Sequence, residues 1–243
     1  NGDWPDNNVR AWRSPDQPYK FMVYDLDHGM DWMWMVTGFT PYASNGTNMF
    51  EWIRQGGTNH RQDNRCFPSI FNHLIKNPDF KRLFINRSAV MFYDYVNSAR
   101  VKSILESMAA TLVESETERD MGKYDRTIRG YKNTCGNGFS ISGSCMKTWA
   151  AERDAAVLSD YQKEFGVGSM IAVNFAVSGS GSVLMEGRKL PSSYTGKFFS
   201  GNKMELTAVP NGSAVFTGWS DGDKSNPRIV TPSAGATYTA TFK

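Results

Sequence analysis

Residues 1–27, NGDWPDNNVRAWRSPDQPYKFMVYDLD, open the chain with a polar loop and two short apolar segments around a turn. VRAWR (9–13) and YKFMVYD (19–25) flank SPDQP, whose two prolines mark a turn, so the stretch is predicted to be a β-hairpin. Antiparallel pairing returns the end of the second strand to the loop that precedes the first. Asp3 and Asn8 then converge with Asp25 and Asp27. An Asn carbonyl and one or two carboxylates are oxygen ligands suited to a hard cation such as Mg²⁺. Asp3 remains as a base or orienting group for a nucleophile.

Outward from this hairpin the texture changes twice. Residues 1–66 hold five of the seven tryptophans, and Gly29 to Gly57 reads as irregular. Residues 67–165 read as helices. Phe67, Ile70, Phe71, Leu74 and Ile75 mark one stripe. NPDF (77–80) then restarts the helix, with Asn77 as cap and Pro78 in the first position. Phe80, Leu83, Phe84, Arg87 and Met91 continue one face, and Val101, Ile104, Leu105, Met108 and Leu112 another, capped by Ser98. These stripes are expected to be core. A weaker, charged helix is expected over Thr117 to Tyr131, and a last one from Met146 to Phe165, ended by Gly166.

From residue 170 the period becomes two. MIAVNFAV, SVLMEG, KMELTAV, AVFTGW and ATYTATF are separated by Gly, Pro, Asn and Ser clusters, as in a small sandwich or barrel. The fold class is therefore α+β, divided into 1–166 and an all-β module over 170–243. The chain of 243 residues is long enough for both to have a core. No run approaches the roughly 20 apolar residues of a membrane span. The formal net charge of +3 is too small to suggest nucleic acid. Residues 171–243 carry 7 basic and 4 acidic residues, so this excess lies in the module. His28, His60 and His73 have no zinc spacing, and each is expected to be a surface or hydrogen-bonded residue. Cys135 and Cys145 flank GNGFSISGS and are candidates for a short-loop disulfide. The chain begins at Asn1 with no signal-peptide pattern and enters the polar loop at once, which reads as a piece of a longer protein.

Phosphoryl transfer needs a group to orient the attacking hydroxyl and metal to neutralise the phosphates. Protein kinases place an Asp and, five residues later, an Asn on one loop, with a metal-binding Asp on the next hairpin. Asp3, Asn8 and Asp25 have that order, although Asp and Asn are common in ordinary loops too. Two other metal motifs fail. Asp25, Asp27, Gly29 and Asp31 start like a calcium loop, but its twelfth position is Val36 instead of Glu. The D-x-D pair of metal-dependent glycosyltransferases lacks the alternating strands and helices of a nucleotide-sugar fold.

NGDWPDNNVRAWR (1–13) and YKFMVYDLDHGMDW (19–32) resemble the catalytic segment of the spore-coat protein H (CotH) kinase-like family. SIFNHLIKNPDFKRLFINRSAVMFYDYVNSARV (69–101), ESETERDMGKYDR (114–126) and KTWAAERDAAVLSDY (147–161) are similar to its helical region. The resemblance covers roughly 1–165. It implies the C-terminal part of an atypical, secreted or surface-associated kinase fold that uses ATP and Mg²⁺ to phosphorylate a protein of the cell surface or secreted milieu. Asp3 matches the catalytic Asp and Asn8 the metal-binding Asn. The metal-binding Asp falls in the DLD pair, with Asp25 favoured because it ends the strand and Asp27 nearly equal. Trp4, Pro5 and Trp12 also match and are assigned to shaping the loop. The family's upstream half, which should hold most of the ATP pocket, is not in this chain, and no nucleotide-contacting Lys can be named. The family also has divergent members, which leaves a non-catalytic scaffold or adhesion protein as the alternative.

GSGSVLMEG (179–187), YTGKFFSGNKMELTAVPNGSAVFTGWSDG (194–222) and TYTATF (237–242) resemble divergent internalin-type B repeats of bacterial surface proteins. They imply an extracellular module for spacing or attachment, through contact with an envelope or glycan partner. Lys189, Lys197 and Lys203 are expected to lie on a solvated face rather than form a binding patch.

Overall fold

The computed structural model describes residues 9–16, 19–23, 48–55, 67–111, 116, 119 and 144–243. The chain forms two compact units, Asn1–His73 with Asn97–Asp160, and Leu74–Val96 with Tyr161–Lys243. The first unit begins with the expected hairpin, β1 (Val9–Trp12) against β2 (Lys20–Val23), in antiparallel register from Val9↔Val23 to Trp12↔Lys20. Within the stretch expected to be irregular there is a two-turn helix, α1 (Met49–Gln55). Asn48 caps it, its Oδ1 accepting from the amides of Phe50 at 3.0 Å and Glu51 at 3.2 Å. A helix this short buries only Phe50 and Ile53, too few positions for a period to emerge from the sequence. Its Phe50 stacks on Phe71 of α2 (Phe67–Leu74) with ring centroids 6.4 Å apart.

The remaining described helices of this unit are α4 (Ser98–Ala109) and most of α5 (Ser144–Phe165). Asn97, not Ser98, caps α4, because Asn97 has the extended backbone of a cap and its Oδ1 accepts from the Arg100 amide at 3.0 Å. The freed Ser98 amide donates to Asp154 on α5 at 2.8 Å, while Lys147 of α5 meets Glu106 of α4 at 3.4 Å. These two contacts run in opposite senses along the helices, which makes α4 and α5 antiparallel. The expected core stripe on α4 is not buried. Ile104 and Met108 are exposed, and no residue of α4 is fully buried. On α2 the pattern is similar: Ile70 and Leu74 are exposed, whereas Pro68 and Ser69 are buried. Of the charged helix expected over Thr117 to Tyr131, only Arg119 lies among the described residues; it pairs with Glu116.

The second unit holds α3 (Pro78–Val90), a π-helical turn (Met91–Tyr95), the last turn of α5 and the β-module. Asn77 caps α3 as expected, with Pro78 at the helix start. Its inward stripe is the half-buried Arg82 with the buried Ile85, Asn86, Ala89 and Val90, rotated from the apolar stripe expected through Arg87 and Met91, both of which are exposed. Two polar residues in the inward stripe hid it from a reading based on hydrophobic period. Gly166 ends α5 with a left-handed φ of 65° and an amide bonded to the Gln162 carbonyl.

The module has two four-stranded sheets. One orders β6 (Ser193–Phe199), β3 (Met170–Ser178), β10 (Thr237–Phe242) and β8 (Phe216–Trp219), with β10 parallel to β3 and its other pairings antiparallel. The other orders β5 (Arg188–Lys189), β4 (Gly181–Met185), β7 (Met204–Pro210) and β9 (Arg228–Val230), all antiparallel. Alternation puts Val173, Phe175, Ala240 and Phe242 of the first sheet and Met204, Leu206 and Ala208 of the second into the core. Gly181 is required here, because a Cβ would lie 2.5 Å from the Phe242 ring. Beyond the end of β9, the Asn226 side chain imitates a strand. It accepts from the Ala208 amide at 2.8 Å and donates to the Ala208 carbonyl at 2.7 Å.

Arg228 pins the two sheets. It stands opposite Leu206 and so faces inward, with its guanidinium 4.5 Å from the Trp219 ring centroid and 5.2 Å from that of Tyr238. Its Nη1 donates to Asp221 at 2.8 Å and to Asp223 at 3.3 Å. Nε and Nη2 have no hydrogen-bond partner among the described residues, and the two aromatic faces supply the compensating negative potential. Burial alone raises the Asp221 carboxyl, but the hydrogen bond and charge of Arg228 outweigh it and hold it below the usual carboxylate range. The Ser225 amide and hydroxyl, with Arg228 behind them, hold Asp223 low as well.

Arg228→Met should lower the urea unfolding free energy at pH 7 by about 2 kcal/mol, from the lost cation–π contact and charged hydrogen bonds. The depressed carboxylates contribute fully above about pH 4 and progressively less as pH falls through their folded values. The gap between wild type and variant should therefore shrink at pH 3; an equal gap at both pH values would remove the ion pair from this account.

Candidate functional site

The hairpin is the described element nearest in sequence to the expected catalytic residues. The turn at Pro15 and Asp16 reverses the chain, and the Val9↔Val23 pair closes the ladder where the chain enters from residue 8 and leaves towards residue 24. Two cation–π contacts brace the other end. Lys20 Nζ lies 5.1 Å from the Trp12 ring centroid, and the Arg13 guanidinium 5.1 Å from that of Tyr19. Trp12 is half exposed and stands opposite its strand partner Lys20. Asp3, Asn8, Asp25 and Asp27 lie outside the described residues, as do Trp4, Pro5, Cys135 and the stretch 32–47.

Among the described residues no cluster of three or more His, Cys, Asp or Glu could hold a metal ion. The acidic loop at Asp221 and Asp223 already has its cation in Arg228. His73 is exposed and hydrogen-bonded through Nδ1 to the Ser69 carbonyl at 2.7 Å; His28 and His60 are outside the described residues. Lys189, Lys197 and Lys203 are all exposed, and Lys197 Nζ lies 5.9 Å from the Tyr93 ring centroid. Among the described residues no helix is long and apolar enough to cross a membrane.

Two clusters were not legible as sites in the sequence. The first surrounds the π-helical turn. Tyr194 donates to Asp94 at 3.0 Å and Arg188 donates to the Tyr95 hydroxyl at 2.6 Å. Burial, then the Asp94 carboxylate, pushes the Tyr194 phenol well above its ordinary value. The second is an aromatic cluster about Tyr161. Its ring stacks on Phe199 at 5.4 Å and Phe84 at 5.9 Å, and meets the edges of Phe92 at 5.1 Å and Phe165 at 5.4 Å. Burial pushes its phenol up to about 12, while the bond it donates to Ser88 at 2.9 Å pulls the other way. The only sequence signal for this cluster was Tyr161 and Phe165 spaced one helical turn apart.

Comparison with known proteins accounts for both parts of the chain. The CotH kinase protein family matches residues 1–157, and the divergent InlB B-repeat domain family matches residues 173–243. No curated protein matches the chain, and no solved structure does. The first match covers well over half of the sequence and includes the polar loop, the hairpin and the helical region in one span. The chain therefore belongs to the CotH kinase family and carries a divergent InlB B-repeat domain at its C-terminal end.

Proposed function

We propose that this chain contributes the catalytic loop and metal-binding hairpin of a kinase that transfers phosphate from ATP to a hydroxyl of a protein at the cell surface or in the secreted milieu. The observation that carries this reading is the CotH kinase match over residues 1–157, which includes Asp3, Asn8, Asp25 and Asp27 together. The chemistry of the donor set fits Mg²⁺. It offers only oxygen atoms, from one Asn carbonyl and two carboxylates, and Mg²⁺ is held by few protein carboxylates with the substrate phosphates completing its shell. When bound, the cation neutralises charge on the phosphates.

The chain's own residues have distinct tasks in this proposal. Asn8 with Asp25 or Asp27 holds the cation. Asp3 orients the acceptor hydroxyl and takes its proton at a carboxylate oxygen. The antiparallel ladder between β1 and β2 supports this arrangement, because it fixes the spacing of the strand ends from which Asn8 and the Asp25-Leu26-Asp27 segment continue. The B-repeat module is proposed to hold the protein at the bacterial envelope or on a glycan there, in keeping with its family match.

Calorimetric titration of ATP with Mg²⁺ into the full-length natural protein tests the metal assignment. Binding should weaken at least about 100-fold in the Asp25→Ala, Asp27→Ala double variant, in line with the loss of metal ligands and their charge. Asp3→Asn should retain nucleotide binding and lose phosphate transfer by about 10²–10⁴-fold. Undiminished transfer by a folded Asp3→Asn protein would refute the catalytic role. No ATP binding by the folded wild-type protein would favour a non-catalytic surface scaffold instead.

A further inference from the structure

We infer that the B-repeat module is not a separate bead on this chain: its Glu186 turn is a receptor for the polar face of α3, and the two fold and unfold as one body. The family boundaries put α3 in the kinase-like segment and Glu186 in the repeat. The compact unit crosses that division, since it joins Leu74–Val96 to Tyr161–Lys243. The inference concerns this unit alone and does not depend on whether phosphate is transferred.

The turn that presents Glu186 is unusual by local rules. Met185 pairs with Arg188, so Glu186 and Gly187 form a two-residue hairpin loop with φ of 49° and 72°. Such loops favour Asn-Gly or Asp-Gly, and a longer side chain with positive φ is uncommon. The Glu186 side chain is also 1 % exposed, a placement that is unfavourable for a carboxylate without partners. Both costs make sense only with the helix in place.

The partners come from both sides. Arg82 Nε donates to Oε1 at 3.1 Å and Nη2 to Oε2 at 3.2 Å. Asn86 Nδ2 donates to Oε1 at 2.8 Å, and the Glu205 amide to the same oxygen at 3.0 Å. Arg82 also reaches Glu205 at 3.2 Å, and Arg87 Nε donates to the Glu186 carbonyl at 3.1 Å. Asn86 is satisfied through donation to the Lys203 carbonyl at 2.8 Å and acceptance from Asn202 at 3.0 Å. Two arginines and an asparagine, spaced along one helix, thus meet two glutamates, two backbone carbonyls and an asparagine of the module. This is charge and shape complementarity for one specific helix. Beside it, Tyr161 of α5 stacks on Phe199 of β6, which is fully buried, and on Phe84 of α3, whose ring also meets Phe165 of α5.

Hydrogen exchange and urea unfolding of the full chain test this. In the wild type, amides of α3 and of β4 and β7 should show protection within about 10-fold of each other and lose it together as urea is raised. Arg82→Ala and Glu186→Ala should each reduce protection in both elements at least about 10-fold, and their effects on the unfolding constant should be strongly non-additive. Glu186→Gln keeps the shape and turns an amide towards Arg82. It should fold and still lower protection in α3 and β4 together, while exposed Val215→Ala should change neither. The inference is overturned if wild-type α3 exchanges more than about 100-fold faster than β4 and β7. It is equally overturned if the Arg82 and Glu186 effects simply multiply.

Discussion

A carboxylate removed from water costs several kcal/mol unless donors surround it, and Glu186 is where this condition governs the second unit of the protein. Arg82 and Asn86 meet it from the helix and the Glu205 amide meets it from the neighbouring strand. Opposing effects act on the Arg82 guanidinium: burial favours its neutral form, while Glu186, Glu205 and Asp79 favour the charged form and prevail, so its pKa is raised. The ion pair is thus self-consistent only in the assembled unit. Removal of one partner leaves the other as a buried charge, which is why the network specifies position more than it adds net stability.

Apolar contacts supply the complementary part. Tyr161 joins α3, α5 and β6 by ring contacts that can each contribute about 0.5–1.5 kcal/mol beyond simple burial, and its hydroxyl is satisfied by Ser88. Inside the module, Arg228 does for the two sheets what Glu186 does for the helix. A charged group is held in the interior by aromatic faces and by carboxylates at the rim. In both places polar residues determine which surfaces meet, and hydrophobic residues make the meeting favourable.

The proposed catalytic motif follows a different logic. Its residues flank a short hairpin in sequence, and the proposal rests on backbone pairing instead of burial. The β1–β2 ladder is local, with SPDQP as its turn, so this part of the organisation needs no distant contact. Family membership and motif agree on a kinase-like protein, with the B-repeat attached to the segment that bears its helices.

The sequence by itself determined the features that depend on near neighbours. These are the hairpin around SPDQP, the Asn77-Pro78 helix start, the Gly166 stop, the strands of period two and the α+β division. Each follows from backbone preferences or alternation within about ten residues. Tertiary structure decided the rest. The inward face of α3 runs through Arg82 and Asn86 because their partner Glu186 lies 104 and 100 residues away, and no hydrophobic period could reveal it. Ile104 and Met108 are apolar at helical spacing yet exposed, since a stripe becomes core only where another surface covers it. β5 and β9 are two and three residues long and exist through their ladders with β4 and β7. The proposed motif Asp3, Asn8, Asp25 and Asp27 rests on residue types and their order alone, and its residues lie outside the described ones. The place of the B-repeat was not legible in the sequence, because a receptor for a helix is made only when distant polar groups are folded into register.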